Sequence, residues 1–75
     1  MNLDDKKFLQ ELGNKIRDLR LAHGWSQAEL GRRCDLHRTF IGSVERGERN
    51  LSALNLRRIA KILRVPLENL FSYLR

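Results

Sequence analysis

At 75 residues the chain can hold one domain with one modest core and has no room for a separate catalytic domain, so stability must come from close helix packing or from pairing with a second copy. The 15 Lys plus Arg outweigh 9 Asp plus Glu to give a net charge of +6, the balance of a polyanion binder. Residues 1–37 carry 7 basic and 6 acidic side chains and residues 38–75 carry 8 and 3, so the excess sits in the C-terminal half.

The first segment, Met1 to Lys7, mixes both charge signs and lacks the form of a signal peptide, and nowhere does the chain approach the roughly 18 apolar residues of a membrane span. A cytoplasmic protein with no membrane partner is expected. A long helix then runs from about Leu3 or Asp4 to His23, with Phe8, Leu12, Ile16 and Leu19 along one face and Gly24 as its stop. Ser26-Gln-Ala-Glu29 is a capping box that opens the second helix, whose inner face carries Leu30 and Cys34. Trp25, just ahead of that cap, reads as core behind the first helix. Cys34 has no second cysteine to pair with and no Cys or His at ligand spacing, so it reads as core; no disulfide, metal or cofactor is expected.

Asp35-Leu36-His37 breaks the period, and a third helix takes up Arg38 to Arg46, with Ile41 and Val44 inward and Gly47 at its end. Ser52 caps a fourth, in which Leu56, Ile59, Ala60 and Leu63 form the clearest amphipathic stripe. Its polar face bears Arg57, Arg58, Lys61 and Arg64, either a solvated face or a contact to DNA. Pro66 then starts a short terminal helix lined by Leu67, Leu70, Phe71 and Leu74. The expected fold is all-α, a compact five-helix domain spanning 1–75, with no strand alternation anywhere.

Two short helices joined by a turn too tight for antiparallel packing, with small or turn-tolerant residues at Gly31 and Asp35 and apolar anchors at Ile41 and Val44, are what a helix-turn-helix needs; here it would occupy about residues 26–46. The runs Ser26-Gln-Ala-Glu-Leu30, Leu36-His-Arg-Thr-Phe-Ile41, Val44-Glu-Arg-Gly47, Asn55-Leu-Arg-Arg-Ile-Ala60 and Val65-Pro-Leu-Glu-Asn-Leu-Phe71 resemble the helix-turn-helix family of phage Cro and lambda-type repressors over about residues 8–71. Within it, the run from Arg38 to Leu51 is similar to the controller proteins of restriction-modification systems. The resemblance implies a lambda-repressor-like fold and a transcription regulator. The sequence departs from the family at three places: glycine where the family has a small residue, often alanine, at Gly31, aspartate rather than glycine at Asp35, and histidine rather than serine or a similar cap at His37, which leaves the third helix with an unusual cap or a side chain reaching for a phosphate.

The major groove admits one helix and shows a distinct pattern for each base pair, so the opening residues of the inserted helix read sequence. Arg38 can bond guanine in bidentate fashion and Thr39 can donate, accept or touch a thymine methyl. Phe40 and Ser43 are expected on the same exposed side, Phe40 either touching a base or packing. By family position, Gln27 holds a phosphate at a helix N-terminus. Arg17, His37, Arg46, Arg49 and Asn50 are the remaining expected phosphate contacts. The resemblance also implies a structural ion pair between Arg20 and Glu45. One short helix supplies too few contacts for high specificity, so two copies reading half-sites about 34 Å apart are expected on a palindromic operator, paired through Leu67, Leu70, Phe71, Tyr73 and Leu74. The expected partners are therefore double-stranded DNA and a second copy, with no small-molecule ligand. A protein-interaction module such as an antitoxin on the same fold is the alternative. An enzyme fits poorly, since neither of the two histidines has a nucleophile or acid at sensible spacing.

Overall fold

Each α-helix begins where a side chain can accept a hydrogen bond from a free first-turn amide. In the computed structural model, which describes residues 2–72, α1 spans Leu3–Ala22, α2 Gln27–Cys34, α3 Arg38–Glu45 and α4 Ala53–Leu63, followed by a 3-10 turn at Leu67–Phe71. The caps are Asn2 Oδ1 on the Asp5 amide, Ser26 Oγ on Glu29, His37 Nδ1 on Thr39 and Ser52 Oγ on Asn55, at 2.8 to 3.1 Å. Asp4 and Asp5 at α1 and Glu29 at α2 add negative charge where the helix dipole favours it. Glu29 does not complete a capping box, however. Its carboxylate turns forward to Arg32 and Arg33, both at 2.6 Å, and those guanidiniums hold it below the usual carboxylate range.

Among the described residues there are four α-helices and no strand, one helix fewer than the sequence suggests. After Pro66 the chain has no side-chain cap and only five residues in register before Ser72, so the terminal element is a 3-10 turn. A run that short cannot recover the nucleation cost of an α-helix. Tyr73 and Leu74 lie outside the described residues.

The core is a single cluster of Leu12, Ile16, Leu30, Cys34, Ile41, Val44, Ile59, Ala60, Leu63 and Leu70. Each large member is stabilised by roughly 1.5–3 kcal/mol through burial. Packing runs α2 on α3, α1 across α3, α4 on α2, with the 3-10 turn bridging α1 and α4. The inner stripe of α1 is rotated from the expected one: Leu9 is buried and Phe8 is 38% exposed. The cause is Gly13, where an added Cβ would collide with the Val44 carbonyl and lie 2.7 Å from that of Glu45. This close approach of α1 to the end of α3 turns Leu9, Leu12, Ile16 and Arg20 inward and leaves Phe8 at the edge, stacked parallel on Phe71 with centroids 5.9 Å apart. Among the described residues no helix is long and apolar enough to cross a membrane.

Candidate nucleic-acid interface

The turn between α2 and α3 is closed by backbone geometry that few residues permit. Asp35 takes the left-handed region at φ 58°, ψ 42°, and the Leu36 amide donates to the Gly31 carbonyl at 2.8 Å. A Cβ on Gly31 would sit 2.5 Å from the Leu36 carbonyl oxygen, so a turn of this geometry leaves no room for one unless the backbone shifts. Arg58, reaching from α4, donates to the Cys34 carbonyl at 3.4 Å at the same turn. The sequence reading gave this arginine only to a solvated face or to DNA.

The inner side of α3 is locked. Arg20 Nε and Nη2 donate to the two Glu45 oxygens at 2.6 and 2.9 Å, and Nη1 donates to the Trp25 carbonyl at 2.7 Å. Their side chains are 8% and 3% exposed, and the Glu45 hydrogen bond raises the Arg20 pKa further above its ordinary value. Gln27 Nε2 donates to Glu45 Oε1 at 3.0 Å, so the residue assigned to a phosphate also joins α2 to this pair. It does so across Gly42, where a Cβ would lie 3.2 Å from Gln27 Oε1. One buried carboxylate thus connects α1, α2 and α3.

The outer side is open at its start. Arg38 and Thr39 are exposed, and their side chains bond to nothing else among the described residues. Phe40 is half-buried, packing on the core while its ring lies 5.5 Å from the Arg49 guanidinium. Ser43 differs from the expectation: it is buried, donating to the Phe40 carbonyl at 2.7 Å and accepting from Arg49 Nε at 3.2 Å. The hydroxyl is spent on the Phe40 carbonyl one turn back and on Arg49 of the following loop, so it faces protein rather than a groove. Arg46 is exposed but paired with Glu48 at 2.9 and 3.1 Å, a contact that lowers the Glu48 pKa. His37 is exposed and spends Nδ1 on the cap. Arg17 and Asn50 are exposed, Asn50 beside Asp5, Phe8 and Leu9 at the start of α1.

Trp25 is half-buried rather than fully in the core. Its ring stacks on His23, 4.2 Å away, and lies under the Arg33 guanidinium, 4.3 Å from its centroid. His23 Nε2 also donates to the Leu63 carbonyl at 2.8 Å, tying the end of α1 to the end of α4. Only spatial neighbours reveal that stack. Cys34 is 1% exposed, and burial pushes its thiol up to about 11. Of the residues assigned to subunit pairing, Leu70 is fully buried in the chain's own core and unavailable, Phe71 is half-buried against Phe8, and Leu67 is 41% exposed.

Comparison with known proteins places this geometry. Residues 16–70 match the helix-turn-helix family. The chain is 44% identical over 62 residues to the control protein C.BamHI of Bacillus amyloliquefaciens, covering 81% of this chain and 76% of that one. It is 39% identical over 70 residues to the control protein C.SmaI of Serratia marcescens, covering 93% and 80%. The crystal structure of the restriction-modification controller protein C.AhdI from Aeromonas hydrophila superposes with a TM-score of 0.82 at 40% identity, over 84% of this chain and 96% of that one. The fold that carries α3 is thus shared with these relatives, and the chain belongs to the helix-turn-helix family of DNA-binding transcription regulators.

Proposed function

We propose that the chain acts as one DNA-binding unit in the cytoplasm, a homodimer on a palindromic operator that serves as the control protein of a restriction-modification system. The observation that carries this reading is the contrast across α3: Arg38 and Thr39 are exposed and unengaged, while Ile41, Val44 and Glu45 on the same short helix are buried. A helix held this way presents its first turn to base edges without having to reorganise. Arg38, Thr39 and the outer edge of Phe40 read bases. Arg17, His37, Arg46, Arg49, Asn50 and the N-terminus of α2 at Gln27 hold phosphates and set register. Arg46 exchanges Glu48 for phosphate on binding. The kinship with control proteins supports the restriction-modification assignment. Leu67 and Phe71 form the described part of the pairing surface, with Tyr73 and Leu74 assigned to it from the sequence.

Selection of duplexes from a random pool with the purified full chain tests this directly. An inverted repeat whose half-sites are centred about one helical turn apart is expected. A pool without symmetry would overturn the palindrome and the dimer, and a pool without sequence preference would overturn the regulator.

A further inference from the structure

Three of the four helix caps are oxygen atoms of Asn2, Ser26 and Ser52, which remain acceptors across the whole physiological pH range; the cap of α3 is a ring nitrogen. His37 Nδ1 accepts from the Thr39 amide at 3.0 Å, which leaves the ring proton of the neutral imidazole on Nε2. We propose that His37 is the positioning residue for Arg38 and Thr39, and that sequence-specific binding requires its ring to be neutral. This inference rests on the regulator reading above.

A proton on Nδ1 turns the acceptor into a donor facing the Thr39 N–H, so the contact reverses and the ring must swing away. Among the described residues no other side chain bonds to the first-turn amides of α3. The first turn of α3 holds no acidic residue, unlike α1 and α2, so no side-chain charge compensates the helix dipole there. The charged side chains on the elements packed around the cap are Glu29, Arg32 and Arg33 of α2, Asp35 of the turn, Arg38 and Glu45 of α3, Arg20 of α1 on Glu45, and Arg58 of α4, which donates to the Cys34 carbonyl at the turn. Glu29 is bonded to Arg32 and Arg33, Glu45 to Arg20 and Gln27, and Asp35 makes no hydrogen bond to the ring. Among the described residues no carboxylate bonds to the ring to hold it in its capping position once protonated.

The loss is confined to the first turn, because Ile41, Val44 and Glu45 stay anchored in the interior. That turn carries both base readers. Protonation therefore disorders the residues that discriminate sequence while adding positive charge beside the phosphates, which strengthens sequence-independent binding. Specific and non-specific affinity move in opposite directions.

The test measures fluorescence anisotropy of the full chain with the selected duplex and with an unrelated duplex, at constant ionic strength, from about pH 8 to about pH 5.5. In parallel, the His37 ring and the Thr39 amide are followed by nitrogen-15 NMR. The ratio of the two affinities is expected to fall about five- to tenfold as His37 titrates, the loss of one N-cap, with Thr39 amide exchange accelerating in step. His37→Asn, a cap that cannot be protonated, should keep the ratio level over the same range. A flat ratio in the parent while His37 titrates, an equal fall in His37→Asn, or a neutral ring with its proton on Nδ1 would overturn the inference and leave the regulator reading intact. If no duplex is preferred at any pH, the regulator reading fails, and this inference with it.

Discussion

Arg38 is exposed, bonds to nothing else among the described residues and follows directly on the residue that caps its helix, so on the proposed function its guanidinium is free to meet a base. Arg38→Ala is expected to lose about 1–3 kcal/mol on the operator and almost nothing on an unrelated duplex, measured by parallel titrations at one salt concentration. Equal losses would make it a phosphate contact. Cys34 gives a second prediction at this scale. Its thiol ionises at 9.0 when unperturbed and at about 11 when folded, because burial disfavours the thiolate. A raised folded pKa contributes stability that is complete below the unfolded value and is lost as pH climbs through the folded one. Folding stability should therefore decline between about pH 9 and about pH 11, and Cys34→Ala should remove that component of the decline in urea melts.

Among the helices, the orientation of α3 depends on the buried pair that joins it to α1. Arg20→Met leaves the Glu45 carboxylate buried with only Gln27 as partner and should destabilise the fold by about 3 kcal/mol. Arg20→Met with Glu45→Leu should recover most of that loss in chemical denaturation, since the penalty arises from the stranded charge. The turn before α3 makes the opposite demand on propensity. Alanine at Gly31 would favour α2 by up to about 1 kcal/mol. Its Cβ, however, would lie 2.5 Å from a backbone oxygen that cannot move alone. Gly31→Ala should therefore destabilise by about 1–3 kcal/mol, and a thermal melt showing stabilisation would contradict the geometry.

At the scale of the whole molecule, one small core is closed at its base by Leu70, and the surface beside it is left to Leu67 and the Phe8–Phe71 stack. Leu67→Glu should shift sedimentation toward the monomer and weaken operator binding, with the melting temperature of the monomer unchanged. Leu70→Ala should instead unfold the chain by about 2–5 kcal/mol, the cost of a core cavity. The contrast separates pairing from folding, which the sequence pattern of apolar residues after Pro66 merges.

The amino-acid sequence by itself determined the start of each α-helix, the site of the tight turn and the residues that open α3, because caps, left-handed residues and apolar periodicity act over three or four neighbours. It also carried the family kinship, through runs of contiguous residues. Only the tertiary structure decided the facing of Phe8, Ser43 and Gln27. Phe8 yields to Leu9 because Gly13 lets α1 rotate against α3; Ser43 is turned inward by Arg49 and the Phe40 carbonyl; Gln27 is drawn to Glu45. The first and last of these depend on atoms brought together from distant parts of the chain, which no local spacing encodes, whereas Ser43 is held by partners three and six residues away.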